Sequence, residues 1–133
     1  MLDLKELREK GAKQARKILH TFDFDDTLFK PIPEVWIEDV VSKAQESIKN
    51  GETLTVLITG RKDQPAERRE LEGLLREKKL SFDEVFMNDS DEDSPTYKVR
   101  TLQVLRKRFP TITTVRVWEN DPAAKTAMIK DSS

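Results

Sequence analysis

The sequence predicts an α/β domain: a mainly parallel sheet of about four strands, with helices layered on both faces. Two patterns carry that expectation. Short apolar, β-branched runs alternate with charged stretches of helical period along the chain. Polar residues gather directly after the runs, where open α/β sheets bind their ligands.

Leu2, Leu4, Leu7, Ala12 and Ala15 recur among charges at helical spacing, so residues 3–17 are expected to form an amphipathic helix, weakened by Gly11. Residues 18–23 are the first expected strand. Residues 39–50 place Val40, Val41, Ala44 and Ile48 on one helical face, and Gly51 offers a C-terminal stop. The run Leu-Thr-Val-Leu-Ile-Thr over 54–59 is continuous and β-branched, as expected of a strand buried on both faces. Pro65 suits the first turn of a helix over 65–79, with Leu71, Leu74 and Leu75 as its buried stripe. A third strand is expected at 83–87. Ser94 then reads as a cap and Pro95 as the first helical residue of a segment carrying Val99, Leu102, Leu105 and Phe109, which Pro110 ends. Residues 113–118 supply a fourth strand and 122–130 a short last helix. With no internal repeat, low-complexity segment or linker, residues 1–133 are expected to be one domain whose core covers 18–128.

Composition narrows the function. Lys and Arg number 24 against 25 acids, a net charge of −1, so bulk charge does not drive nucleic-acid binding, although a local basic face could. The absence of cysteine excludes thiol nucleophiles and thiolate metal sites, and a lone histidine, His20, excludes histidine clusters. No apolar run approaches the roughly 18 residues that span a membrane, and the charged residues 1–17 do not resemble a signal peptide, so a soluble, cytoplasmic protein without membrane partners is expected.

The chemistry gathers in four short segments. Asp23-Phe24-Asp25-Asp26-Thr27 puts two carboxylates two residues apart at a strand end, where they point the same way. One could attack phosphorus while the other handles the leaving group's proton. Thr59-Gly60-Arg61 follows the second strand, Lys98 lies near a helix start, and Glu119-Asn120-Asp121 follows the fourth strand.

This set, in this order, resembles the haloacid dehalogenase (HAD) superfamily of phosphohydrolases over residues 18–128. The resemblance implies a three-layer Rossmann-like core and a phosphatase mechanism through an aspartyl-phosphate. It casts Asp23 as nucleophile and Asp25 as acid/base, with Thr59 and Lys98 completing the catalytic set. Thr27, Gly60 and Arg61 would bind phosphate or substrate. Mg²⁺, or Mn²⁺ in its place, would be held by Asp23, the Asp25 carbonyl, and Asn120 or Glu119 after the fourth strand. Asn120 occupies the usual ligand position there, where many relatives carry Asp, and Asp121 is a further alternative. Ile58-Thr59-Gly60-Arg61 and the Trp118-Glu119 ending are most similar to polynucleotide 3′-phosphatases and the Swiss Army Knife RNA-repair group. Neither inter-motif segment has room for a cap domain, so the open site suits a large substrate such as a phosphorylated nucleic-acid end. A silent module that binds phosphorylated partners, and a small-metabolite phosphatase closed by oligomerisation, are the alternatives. The oligomeric state is left open.

Other features have structural explanations. His20 reads as a packed strand residue and Trp36 as packing in a small flap. Asp89, Asp91 and Asp93 mimic a calcium loop but lack its glycine and closing glutamate. The basic residues of 3–17, with Arg100, Arg106, Lys107 and Arg108, read as solvated faces that could form a surface for a polyanion.

Overall fold

The computed structural model describes residues 15–132. Its elements run β1 (Ile18–Phe22), β2 (Phe29–Pro31), β3 (Glu34–Trp36), α1 (Glu38–Lys49), β4 (Thr53–Lys62), α2 (Pro65–Glu77), β5 (Glu84–Asn88), α3 (Ser94–Arg108), β6 (Thr114–Trp118) and α4 (Pro122–Asp131). Four strands form one parallel sheet in the order β5-β4-β1-β6, and β2 and β3 form a separate antiparallel hairpin. The three-layer α/β architecture expected from the alternation is the one observed, and no cap domain interrupts it. The connection from β1 to α1 holds only the hairpin, and that from β4 to β5 only α2.

Strand alternation divides the core in two. Phe22 and Leu57 join one buried cluster with Val41, Leu71 and Leu75, under α1 and α2. Leu19, Leu54, Val56 and Ile58 join the other with Leu102, Leu105 and Met128, under α3 and α4. The first seven residues of β4 are buried, as its continuous apolar run requires of a central strand. Because β4 and β5 lie to one side of β1 and β6 to the other, the sheet has its switch point between β1 and β6. Ligands of open α/β sheets bind beyond the strand ends at such a point.

Several boundaries differ from the sequence expectation. The expected helix over 3–17 lies outside the described residues except for 15–17, which are not helical. The helix ahead of Gly51 is capped by Asn50 in an extended conformation, whose side-chain Oδ1 accepts from the Glu52 N–H, and no described glycine adopts positive φ. Asp93, not Ser94, caps α3: its carboxylate accepts from the Thr96 N–H at 2.9 Å. The hairpin strands are new, since two three-residue strands, the first ending in Pro31, give no readable alternation.

Candidate active site

Asp23 directly follows β1 and Glu119 directly follows β6. The parallel register pairs Phe22 with Trp118, so the two acids occupy equivalent positions side by side at the switch point. The Asp23 N–H donates to the Trp118 carbonyl at 2.9 Å, extending the ladder by one bond. Asp23 and Glu119 are each only 8% exposed. Between them comes Lys98, one turn into α3 and 3% exposed, whose Nζ donates to Asp23 Oδ1 at 2.9 Å and to Glu119 Oε1 at 2.5 Å.

Burial pushes the Asp23 carboxyl up to about 7; Lys98 pulls it back and the neighbouring Glu119 raises it. Burial also works against the Lys98 ammonium, but Asp23 and Glu119 more than offset it and hold its pKa above the ordinary value. One buried cation therefore faces two buried acids.

Thr27 does not line the cleft. Its buried hydroxyl donates to Asp23 Oδ2 at 3.2 Å and accepts from the Asn120 N–H at 3.0 Å, tying the β1 loop to the β6 loop. The hydroxyl expected to meet phosphate or substrate is thus bonded to the Asp23 carboxylate and to the β6 loop. Asp26 makes the sharp turn in a left-handed conformation, φ 62°, which aspartate tolerates better than most residues.

Thr59, Gly60 and Arg61 enter the cleft through an irregularity in β4. Ile58 pairs with Phe86 and Lys62 with Asn88, so three residues of β4 stand opposite one of β5, and the surplus turns the motif toward β1. Thr59 Oγ1 accepts the Arg61 N–H at 3.2 Å, which leaves its own proton free to donate. Arg61 makes a bidentate pair with Asp25, Nε to Oδ2 and Nη2 to Oδ1 both at 2.8 Å, with its guanidinium over the Phe24 ring. The expected phosphate-binding arginine is thus held on the expected acid/base carboxylate, and Glu70 lies 3.7 Å from its other nitrogen.

Together Asp23, Asp25, Thr59, Gly60, Arg61, Lys98 and the segment 119–121 line one open cleft of about 370 Å³. Two further residues, Asp26 and Ser94, complete it; Ser94 was expected only as a cap. The signal that could have found Ser94 is its spacing, one helical turn before Lys98 and so on the same face of α3. Trp36 packs on Phe24 and Phe29 and donates to Glu77, while Arg100, Arg106 and Arg108 bond Glu92, the Asp131 carbonyl and Glu84.

The cleft suits a divalent cation. Five carboxylates (Asp23, Asp25, Asp26, Glu119 and Asp121) face two cations, a formal excess of three negative charges that a phosphate ester would have to meet. The lining residues that would hold Mg²⁺ or Mn²⁺, which prefer hard oxygen donors, are Asp23, Asp25 through its carbonyl, and the exposed Asn120. Glu119 is the less available ligand, because its oxygens accept from Lys98 and from the Asp121 N–H. Among the described residues, no cluster of three or more acidic or imidazole side chains is set to hold an ion. No described helix is long and apolar enough to cross a membrane.

Neither the curated proteins nor the solved structures provide a match to this chain. A family model does, over residues 6–131, nearly the entire length: HAD domain family 1 in Swiss Army Knife RNA repair proteins. The chain belongs to that family, and with it to the HAD-type phosphohydrolases.

Proposed function

We propose that this protein is a divalent-cation-dependent phosphomonoesterase that works through a phosphorylated Asp23, on phosphorylated ends of nucleic acids. The observation that carries the reading is the buried Asp23 held by Lys98 at 2.9 Å, with Asp25 lining the same cleft beyond the ends of parallel strands.

Thr27 and Lys98 fix the Asp23 carboxylate so that an oxygen can meet the phosphorus in line. As the Asp23–phosphorus bond forms, the ester bond to the leaving oxygen breaks, and Asp25, protonated from solvent once the substrate's anionic groups have drawn Arg61 off it, delivers that proton to the leaving oxygen. Asp25 then takes a proton from a water that attacks the phosphorus, releasing phosphate and restoring Asp23. Lys98 and the free Thr59 hydroxyl proton stabilise charge spreading over the non-bridging oxygens. A bound Mg²⁺ or Mn²⁺ would supply charge neutralisation between the acidic cleft and the phosphate. Arg61 orients Asp25 until the substrate's own anionic groups compete for the guanidinium.

Two observations support a macromolecular substrate. The cleft is open, with no cap to enclose a small metabolite, and the family's domains occur in RNA repair proteins. The test is Mg²⁺-dependent phosphate release from a 3′-phosphorylated oligonucleotide, compared with Asp23→Asn. Release by the parent and none by the variant, at unchanged melting temperature, is the expected result. Equal release by the two would sink the aspartate mechanism. Release from small phosphate esters alone would favour a metabolite substrate, and phosphate binding without any turnover a silent recognition module.

A further inference from the structure

We propose that Ser94 is a substrate-contacting residue, donating its hydroxyl proton to a non-bridging oxygen of the phosphoryl group held beside Asp23; this rests on the phosphoryl-binding reading of the same cleft.

The argument begins at Gly60. A Cβ built there would lie 2.5 Å from Ser94 Oγ and 3.0 Å from Ser94 Cβ, both inside contact distance. Gly60 does not have positive φ, so backbone conformation does not demand a glycine at this position. What it permits is the close approach of the α3 N-terminus to the end of β4. That approach puts the Ser94 hydroxyl against Gly60 in the cleft that Thr59 also lines, with Lys98 one turn further along the same helix.

The hydroxyl is free for a ligand. Among the described residues the Ser94 hydroxyl has no hydrogen-bond partner, although it lines a cleft whose charged donors, Arg61 and Lys98, are engaged. The usual anion-binding groups of a helix N-terminus are missing from α3. Pro95 has no N–H, the Thr96 N–H is held by the Asp93 side chain, and the Tyr97 N–H by the Asp93 carbonyl. Arg61 is engaged by Asp25, and Lys98 by Asp23 and Glu119. In a cleft with excess negative charge, a neutral donor also adds a contact without binding yet another carboxylate. Ser94 and Thr59 therefore supply two neutral hydroxyl donors to the lining of the same cleft.

The test uses the full chain and reads binding separately from turnover. Affinity for inorganic phosphate in saturating MgCl₂ is measured by calorimetry for the parent, Ser94→Ala and Ser94→Cys, alongside KM and kcat on the oligonucleotide. Ser94→Ala is expected to weaken phosphate binding and raise KM about tenfold, the size of one hydrogen bond to a charged acceptor, with melting temperature unchanged. Ser94→Cys, which keeps the size but donates weakly, should fall close to Ser94→Ala. Phosphate affinity and KM within twofold of the parent for both variants would overturn the inference. So would a parent that binds no phosphate in MgCl₂. A parent that binds phosphate through Ser94 but hydrolyses nothing would uphold the contact while overturning the catalytic reading.

Discussion

Lys98 shows how one side chain links stability to chemistry. Its ammonium is 3% exposed and accounts for the charge balance of two carboxylates that are themselves almost fully buried. Lys98→Met would leave both acids without their cation, and breaking a buried pair in this way costs about 3–5 kcal/mol. Urea unfolding should therefore show a large loss of stability. Adding Glu119→Leu to Lys98→Met should recover part of it by removing one of the stranded charges, while turnover stays abolished. Full recovery of turnover in the double variant would show that Lys98 has no role at the phosphoryl group. The residue types in this cluster were legible in the sequence, and so was the pairing of Lys98 with Asp23, but its second partner, Glu119, was not. The expectation there concerned metal ligands, Asn120 or Glu119, whereas the Phe22–Trp118 register sets Glu119 beside Asp23, where Lys98 bonds both. Register is a property of the assembled sheet, and a single strand does not reveal it.

At the scale of elements, α1 is fastened to the sheet by a polar chain as well as by its apolar face. His20 Nδ1 lies 2.8 Å from Ser47 Oγ, and Ser47 Oγ lies 2.6 Å from Thr55 Oγ1. Nε2 of His20 is buried without a hydrogen-bond partner, and the ring meets Trp118 edge-on at 4.9 Å. Burial, with a smaller contribution from Arg116, lowers the His20 pKa from 6.5 to about 4. The folded state thus resists a proton that the unfolded chain accepts. The stabilisation is complete above pH 6.5 and is lost as pH falls from there toward 4. The full shift would correspond to about 3 kcal/mol, and partial exposure reduces it to about 1–2 kcal/mol. Denaturation midpoints at pH 7.5 and 5 should accordingly converge in His20→Gln and diverge in the parent; equal pH dependence in both would refute the account. The regular elements were legible because β4 and α3 have long, unambiguous apolar patterns. The β2–β3 hairpin and the β4 irregularity were not. Both depend on a few residues near the site whose conformation is set by what they pack against, as with Phe29 on Phe24 and Thr59-Gly60-Arg61 opposite a single residue of β5.

For the whole molecule, the sheet order places all four motif segments at one edge of one layer. The connections from β1, β4 and β6 and the start of α3 meet at the switch point, so residues nearly a hundred positions apart line a single cleft. The fold spends its few charged burials there: Asp23, Lys98 and Glu119 are the buried ionisable residues of the described chain. Such concentration of perturbed, buried charge in a cleft is the physical mark of a reactive site. The central claim is that Asp23 becomes covalently phosphorylated. The most direct measurement is to quench the reaction during turnover, reduce any acyl phosphate with borohydride, and locate the modified residue by mass spectrometry. The account predicts reduction of residue 23 to homoserine, dependent on substrate and divalent cation and absent in Asp23→Asn. Turnover with residue 23 unmodified, or with the modification at another acid, would contradict it.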